Sequence, residues 1–266
     1  MELSKLHTFV VCAYKESPYL EECITSLLSQ SLPGSNILVS TSTPNDHIRG
    51  IAEKYGLPLF VNTGKASIAY DWNFGYSQAK TPYITLAHQD DVYEPGYVEA
   101  AMNAFSSSKK PLIFFTDYYE LRNGEPVKEN RLLKIKRLLL LPMRIKAFKN
   151  SRFVRRRCLS LGCPICCPSV SFAKENLPEP VFGHGYRSDV DWQAWERLSR
   201  LKGAFLYDKR PLMMHRVHDG SETSAVLQDN VRTKEDYEMF CKFWPKWMAK
   251  KLTKVYASSE KSNQTS

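Results

Sequence analysis

The fold is decided by nine residues, YITLAHQDD at positions 83–91. The first five form an apolar, β-branched run typical of a buried strand, and two adjacent carboxylates, Asp90 and Asp91, end the stretch. Open parallel sheets bind ligands outside the carboxyl ends of their strands. Because adjacent carboxylates repel each other and are costly to bury, this turn predicts a divalent-cation site. An isolated Asp-Asp pair also fits a capping role for the helix near Pro95. The choice between a cation site and a helix cap therefore depends on the neighbouring motifs.

Strand and helix patterns alternate over the first hundred residues. Each short apolar run is followed by a segment with apolar residues at helical spacing. Four βα repeats of this kind imply a mostly parallel sheet with helices on both faces. We predict strands at 8–13, 37–39, 58–61, 83–87, 112–118 and 169–172, a hairpin turn at Asn123-Gly124, a helix capped by Ser17, and helices at 47–55, 67–80, 96–105, 189–202 and 228–254.

The composition is that of a globular protein and excludes several classes. Of the 266 residues, 43% are hydrophobic and 24% charged, which argues against a disordered or fibrous chain. No apolar run approaches the roughly 18–20 residues of a membrane helix, and no signal-peptide cleavage site is evident. Seven cysteines, four of them between 158 and 167, fit reduced thiols better than a disulfide framework. We therefore expect a cytoplasmic protein whose clustered thiols are small apolar residues rather than a zinc site.

The net charge of +9 comes from one segment. Residues 131–157 contain 11 Lys or Arg and no Asp or Glu, so the charge describes a local surface. Leucines and other apolar residues are interleaved with these cations, which is typical of an interfacial helix attracted to anionic lipid, with Arg155, Arg156 and Arg157 facing the headgroups. The pattern also fits an amphipathic helix packed on the core with solvated cations outside. Nucleic acid is not an expected partner, because a stacking platform needs several aromatic residues on a sheet face.

Four sequence blocks occur in an order typical of one enzyme family. They are FVVCAYKES at 9–17, ITLAHQDDVYEP at 84–95, SDVDW at 188–192, and HRVH at 215–218 with Ser221. Together they resemble the family 2 glycosyltransferases over residues 7–224. The resemblance implies the GT-A fold, which is an α/β architecture with a mostly parallel central sheet. It also implies a nucleotide-sugar donor, a divalent metal and inversion at the anomeric carbon.

The resemblance further implies roles for individual residues. Mn²⁺ or Mg²⁺ is expected at Asp91 and His218, and Asp189 is expected to be the general base. The positive end of a helix dipole would keep the Asp189 carboxylate ionised, and an ionised carboxylate can take the proton of an acceptor hydroxyl. The donor is expected to contact Ala13, Tyr14, Glu16, Thr41, Asp71, Asn73, His88, Gln89, Asp90 and Arg216, and the acceptor is expected near Asp191, Trp192 and His184.

Two departures from the family pattern leave alternatives open. His88 stands where the metal motif usually begins with Asp, so it contacts either the metal or the nucleotide. Ser40–Thr43 replaces an Asp-Asp-Gly-Ser motif, which leaves the nucleotide base open. Asp71 either holds the base or ribose or caps its helix, and Asp191 either meets the acceptor or only stabilises a helix start.

We predict an inverting, metal-dependent glycosyltransferase that uses a UDP-sugar and a saccharide acceptor, lipid-linked, in polysaccharide biosynthesis. It would be cytoplasmic, with a peripheral position on the inner face of the cell membrane. Residues 1–224 would form the GT-A domain, with a nucleotide-sugar half at 1–118, an acceptor half at 119–224 and a helical tail at 225–266. The competing interpretations are a non-catalytic basic binding module and an inactive glycosyltransferase homologue.

Overall fold

The structure, a computed structural model, describes residues 3–218 and 230–264. Within these residues nine strands form one mixed sheet in the order β3-β2-β1-β4-β8-β6-β9-β5, with β7 paired to β6. The strands are β1 (His7–Ala13), β2 (Asn36–Thr41), β3 (Leu59–Val61), β4 (Tyr83–His88), β5 (Val92–Tyr93), β6 (Pro111–Arg122), β7 (Glu125–Val127), β8 (Val170–Ala173) and β9 (Ala204–Val217).

Helices connect the strands and continue to the end of the described chain. They are α1 (Leu20–Leu28), α2 (Asp46–Lys54), α3 (Ile68–Gln78), α4 (Tyr97–Ser106), α5 (Arg131–Leu139), α6 (Arg152–Cys158), α7 (Val190–Ser199), α8 (Asn230–Cys241) and α9 (Lys246–Gln264). Two short 3-10 helices, Leu141–Arg144 and Lys146–Phe148, separate α5 from α6. The predicted alternation is confirmed, but α1 begins at Leu20 rather than after Ser17. The Ser17 hydroxyl donates to Asp90 instead, at 2.6 Å, so it ties the loop to the end of β4.

The first four strands are parallel, as predicted, and their carboxyl ends lie side by side. Ala13 of β1 pairs in register with Thr41 of β2, and Cys12 of β1 pairs with His88 of β4. The second half of the sheet is mixed, because β8 runs antiparallel to β4 and β6, and β5 runs antiparallel to β9. The polar loops that follow β1, β2 and β4 therefore meet at one edge.

Helices cover both faces of the sheet, and strand alternation explains the division. Val10 belongs to a core cluster with Tyr76 of α3 and Trp195 of α7. Phe9 and Val11, its neighbours along β1, belong to a second cluster with residues of α1 and α4. Successive side chains of a strand point to opposite faces, so one apolar run serves both cores.

The longest strand, β9, is an element that the sequence patterns missed. It covers Ala204–Val217 and includes the charged residues Asp208, Lys209 and Arg210 followed by a proline, which interrupts the alternation expected of a strand. It runs parallel to β6 with register shifts near Asp117. At its end β9 carries His215 and Arg216 to the carboxyl edge of β4. The hairpin turn at Asn123-Gly124 between β6 and β7 is confirmed, with φ of 51° and 82°.

The helices α8 and α9 pack against α7. The ring of Trp192 lies 5.1 Å from that of Phe240 and 5.8 Å from that of Tyr256. Trp244 donates its indole N–H to the Ser160 carbonyl at 2.6 Å. The predicted domain boundary after residue 224 falls outside the described residues. None of the helices in the described ranges combines the length and apolar composition that crossing a bilayer requires.

The arginine run at the end of the basic segment is structural. Arg155 is only 1% exposed, and its guanidinium donates to the backbone carbonyls of Ser199, Leu201 and Gly203. Burial lowers the Arg155 pKa to about 10, with the charge of Arg152 adding to the effect. Arg156 pairs with Glu196 at 2.5 Å. The expectation that these charges face a membrane is therefore wrong for Arg155 and Arg156, because both bind α6 to α7.

We expect Arg155→Met to destabilise the fold, since methionine keeps an apolar stem but leaves buried carbonyl groups without a donor. The free energy of unfolding should fall by about 1.5–3 kcal/mol or more, the value of a single hydrogen bond to a charged group. Urea denaturation measures this change. Arg152→Met, an exposed position on the same helix, is the control and should change stability by less than about 0.5 kcal/mol. Equal effects of the two substitutions would contradict the structural role.

Candidate active site

Asp91 is the buried centre of the β4 edge. It is 1% exposed, and its Oδ1 accepts hydrogen bonds from His215 Nδ1 at 3.0 Å and from the backbone N–H of Arg216 at 2.9 Å. Its Oδ2 is buried and has no hydrogen-bond partner among the described residues. Buried polar atoms are nearly always paired, so an orphaned carboxylate oxygen points to a missing cation or donor. The residue therefore fits one ligand of a divalent metal.

Asp90 lies beside it and is held from two sides. Its Oδ1 accepts from the Ser17 hydroxyl at 2.6 Å, and its Oδ2 lies 3.3 Å from Nε2 of His218. Asp90, predicted to contact the donor, and Asp91 and His218, predicted to hold the metal, are thus brought together. Ser221 of the same motif lies outside the described residues.

Arg216 stabilises the turn that follows β4, and its charged group is bound by other residues of the protein. Its Nε donates to the Asp90 carbonyl at 2.8 Å, its guanidinium pairs with Glu22, and it stacks 4.1 Å above the ring of Tyr19. The side chain is buried. These contacts orient the guanidinium toward α1 and the Asp90 backbone, and a contact of Arg216 with the donor stays a prediction.

Two histidines flank Asp91, and their pKa values are shifted in opposite directions. Burial lowers the pKa of His88, which keeps its imidazole neutral, and its Nε2 has no partner among the described residues. The ring stacks on Trp72 at 4.9 Å. Burial also acts to lower the pKa of His215, but the charge and hydrogen bond of Asp91 outweigh it, so the net pKa is raised. In the sequence, His215 belongs to the HRVH block at 215–218, but the block gave it no individual role.

The loop after β1 is held by the side chain of Gln89. Its Oε1 accepts from the Tyr14 N–H at 3.0 Å, and its Nε2 donates to the Tyr14 carbonyl at 2.8 Å. Ala13 is buried at the end of the strand, whereas Tyr14 and Glu16 are exposed at the edge. Gln89 therefore fixes the backbone that a donor would approach.

The ends of β2 and β3 carry a small polar cluster around Asp71. Asp71 accepts from the Ser42 hydroxyl at 2.8 Å and from the Asn62 amide at 2.6 Å. Thr41 is buried beside it and accepts from a backbone N–H in the same loop. Because Ser67 is the N-cap of α3, Asp71 does not cap that helix, which leaves its carboxylate for polar contacts at the sheet edge.

The next turn of α3 holds a loop in place. The Asn73 amide donates to the Phe182 carbonyl at 2.8 Å and accepts from the Phe182 N–H at 3.0 Å. Both ends of the amide are thus used, so a direct role of Asn73 in donor binding is not what the geometry favours. The loop presents His184, which is exposed and stacks on Tyr70 at 3.9 Å.

The carboxylate of Asp189 is buried next to other acids. It precedes α7, and its Oδ2 has no hydrogen-bond partner within the described chain. Glu235 of α8 accepts the backbone N–H groups of Arg187, Ser188 and Asp189 at 2.8, 2.8 and 3.0 Å. Burial raises the Asp189 pKa well above its usual range, the charge of Asp236 raises it further, and Arg232 opposes the rise. Burial and the charge of Asp236 therefore act against the helix dipole that was expected to keep Asp189 ionised.

Asp191 and Lys136 connect α7 with the basic segment. Asp191 accepts from the Trp192 N–H at 2.6 Å and lies 3.7 Å from Cys163 Sγ. Burial raises its pKa, and the charge of Lys136 opposes that shift. The same Lys136 charge acts on His215, and its ammonium donates to the Tyr118 hydroxyl at 2.9 Å. Lys136 is thus a cation near the candidate site. The sequence analysis missed it because it is one of many Lys and Arg residues in the basic segment.

Trp192 lies in the core, contrary to its predicted place beside the acceptor. It is fully buried, and its indole N–H donates to the Leu159 carbonyl at 3.0 Å. The cysteines nearby are free thiols, and burial raises the pKa of Cys163, Cys166 and Cys167. No group of three or more His, Cys, Asp or Glu side chains in the described ranges is arranged to hold a metal by itself. Other ligands, such as diphosphate oxygens, would have to complete a shell at Asp91.

A family model named Glycosyl transferase family 2 matches residues 8–177. The chain belongs to this family. An uncharacterized glycosyltransferase of Rickettsia typhi is 25% identical over 259 residues, which covers 94% of this chain and 74% of the relative. The family assignment makes the protein a glycosyltransferase.

Solved structures share the fold at low sequence identity. The chain resembles S. aureus TarS in complex with UDP-GlcNAc, with a TM-score of 0.61 and 15% identity over 93% of this chain and 70% of that one. It also resembles a mannosyltransferase of Pyrobaculum calidifontis in complex with GDP-Man and Mn²⁺, with a TM-score of 0.62 and 15% identity over 93% and 69%. These likenesses confirm the predicted GT-A fold. The family match ends before α7, so the acids of α7 and α8 lie beyond it.

We expect Asp189→Asn to stabilise the fold increasingly as pH rises. An acid whose folded pKa is raised binds its proton more tightly in the native state, so wild-type stability is lost as pH rises from the unfolded pKa through the folded one. Asparagine removes this loss. Urea denaturation between about pH 4 and pH 8, the range above the unfolded Asp pKa, measures it for both proteins.

Asp46→Asn is the matched control, because Asp46 is an exposed acid in the first turn of α2. This substitution should show no stabilisation that grows with pH. Parallel stability curves for wild type and Asp189→Asn would contradict the raised pKa of Asp189.

Proposed function

We propose that this glycosyltransferase is inverting and metal-dependent, and that it transfers a sugar from a UDP-sugar to a saccharide acceptor. The observation that carries the proposal is the buried Oδ2 of Asp91 at the carboxyl edge of the parallel strands, which accepts no hydrogen bond from a described residue and lies 4.0 Å from His88 Nδ1. A ligand site is expected at this edge in an open α/β sheet. An inactive homologue would have no reason to keep an unpaired buried carboxylate, which costs stability.

The donor side of the site is the edge formed by the loops after β1, β2 and β4. Asp91 would hold Mn²⁺ or Mg²⁺, with Asp90 and His218 beside it and diphosphate oxygens completing the shell. When bound, the metal would neutralise charge that develops on the leaving diphosphate. The neutral His88 would contact the nucleotide part of the donor. Support comes from the P. calidifontis neighbour, whose structure holds GDP-Man and Mn²⁺.

The nucleotide itself is proposed to be uridine-based. Asp71, with Ser42 and Asn62 around it, supplies a carboxylate at the end of β2 that can accept a hydrogen bond from a base or ribose. TarS, which shares the fold, binds UDP-GlcNAc, whereas the mannosyltransferase binds GDP-Man. Comparing UDP with GDP in the binding experiment below separates these two possibilities.

Asp189 is proposed as the general base on the acceptor side. Inversion requires a base on the sugar face opposite the diphosphate, and a base works best when its pKa lies near the operating pH. Burial and the neighbouring acids raise the pKa of Asp189 in that direction. Glu235 positions the backbone of residue 189 through its three N–H contacts. His184 and Asp191 lie on loops and helix ends that border this side.

The acceptor is proposed to be a lipid-linked saccharide of a polysaccharide pathway, met at the inner face of the cell membrane by a cytoplasmic enzyme. Lys136 of the basic helix α5 donates to the Tyr118 hydroxyl, and the Tyr118 ring lies 6.2 Å from that of His215, so this lysine would supply a cation for an acceptor phosphate. The competing function, a non-catalytic basic binding module, predicts no dependence of nucleotide binding on metal.

We expect Asp91→Asn to weaken Mn²⁺-dependent UDP binding by tenfold or more, because asparagine offers a neutral oxygen where the metal needs a carboxylate. Isothermal titration with UDP, with and without Mn²⁺, measures the loss, and GDP serves as the nucleotide comparison. Asp46→Asn is the control and should bind as the wild type does. If UDP binding by Asp91→Asn depended on Mn²⁺ as much as wild-type binding does, the proposed metal site at Asp91 would be contradicted.

We expect Asp189→Asn to lower kcat for transfer by about 10²–10⁴-fold with UDP affinity retained, since general-base catalysis contributes that much. Asp191→Asn is the matched comparison on the same helix and should cost much less. Transfer is followed by UDP release from a panel of UDP-sugars with saccharide acceptors. An inactive Asp191 variant beside a nearly normal Asp189 variant would assign the base to Asp191 instead.

A further inference from the structure

The basic segment exposes large apolar side chains at an unusual density. Ile135, Leu138, Leu141, Ile145, Phe148 and Phe153 are six of the eleven exposed large hydrophobic residues in the described chain, and they fall within 135–153. Leu138 is 64% exposed and Phe153 is 74% exposed. Scattered exposed apolar residues are normal, but a concentration of them marks an interaction site.

Cations surround these apolar side chains, and acids are absent from the segment. The exposed cations of residues 131–157 are Arg131, Lys134, Arg144, Lys146, Arg152 and Arg157. We call the exposed apolar and cationic side chains of 131–157 the α5–α6 surface. Its inward side chains, Leu133, Leu140 and Met143, are buried in the core. The residues that pack the segment on the core are therefore not those of the α5–α6 surface. Packing on the core does not explain why that surface is apolar and cationic.

The chemistry of this surface identifies its partner. A symmetric contact with a second copy would place cations against cations, which like-charge repulsion disfavours. Single-stranded nucleic acid would call for stacked aromatic rings rather than exposed leucine and isoleucine side chains. Apolar side chains that enter the acyl boundary, ringed by cations at headgroup level, match an anionic lipid surface.

We propose that the α5–α6 surface docks this protein on an anionic phospholipid membrane, with α5 lying between the lipid and the active site. Leu138 and Ile135 are on the exposed side of α5, whereas Lys136 of the same helix donates to Tyr118, whose ring lies 6.2 Å from that of His215 in the site. One helix therefore separates the lipid from the acceptor side. This second part, which places a lipid-linked acceptor next to Asp191, rests on the proposed function, whereas the docking does not.

Vesicle flotation tests the docking. The probes are vesicles of phosphatidylcholine alone and vesicles that also contain phosphatidylglycerol. Wild type should float with the anionic vesicles only, and added salt should weaken the binding. Leu138→Ser with Phe153→Ser should weaken it by roughly tenfold or more through lost apolar burial. Lys134→Gln, Lys146→Gln and Arg152→Gln combined should weaken it by roughly fivefold for each cation.

The matched control combines Leu28→Ser and Lys80→Gln, an exposed leucine on α1 and an exposed lysine beyond α3. It should float as the wild type does. All substituted positions are on the surface, and urea denaturation checks that stability is kept. UDP binding with Mn²⁺, measured on the same preparations, should be unchanged, so failure of docking and failure of the proposed enzyme activity are distinguishable.

Three results would overturn the proposal. The first is wild-type binding that is absent or equal for the two kinds of vesicle. The second is a self-association that Leu138→Ser with Phe153→Ser abolishes, seen by sedimentation, because the occupant would then be a second copy. The third is retention on a single-stranded oligonucleotide that the same cation variant removes while the vesicles are not bound.

Discussion

The arrangement of the whole site depends on how the protein accommodates two adjacent carboxylates at the end of β4. Unpaired, they would repel each other and resist burial. Strand β9 solves this by bringing His215 and the Arg216 backbone to one oxygen of Asp91, while Ser17 meets Asp90 from the opposite side. The other oxygen of Asp91 accepts no hydrogen bond from a described residue and lies 4.0 Å from His88 Nδ1. Asp91 Oδ2 and His88 Nε2 therefore both lack a hydrogen-bond partner among the described residues at the carboxyl end of β4.

A second set of acids, around α7, shows burial outweighing a helix dipole. The dipole is worth about 0.3–1 kcal/mol at a helix end, whereas burial can shift a carboxyl pKa by several units. Glu235 already accepts the N–H groups that lead into α7, and Asp236 adds a second negative charge beside Asp189. Both come from α8, which lies beyond the residues that the family model matches. The C-terminal helices thus help to set the electrostatic surroundings of Asp189.

In the basic segment, cationic residues that look alike in the sequence differ in burial and in the direction of their side chains. Arg155 is buried and holds three carbonyl groups, Lys136 faces the site, and Lys134 is exposed. The segment is also broken into two helices by 3-10 turns, so a single helical periodicity does not run through it. The composition therefore gives the net charge of this region, but it does not show which way any side chain points.

The amino-acid sequence by itself determined the alternation of the first four strands and their helices, because apolar periodicity and turn residues are local properties. The resemblance to the family 2 glycosyltransferases, carried by motifs in the sequence, also implied that Asp90, Asp91 and His218 belong to one site. Only the tertiary structure decided that β9 is a strand, because its charged middle residues hide the pattern and its pairing with β6 and β5 is non-local. It alone placed Trp192 in the core, gave Arg216 a supporting role, and surrounded Asp189 with acids of α8. Burial and long-range partners set those outcomes, and neither can be read from neighbours along the chain.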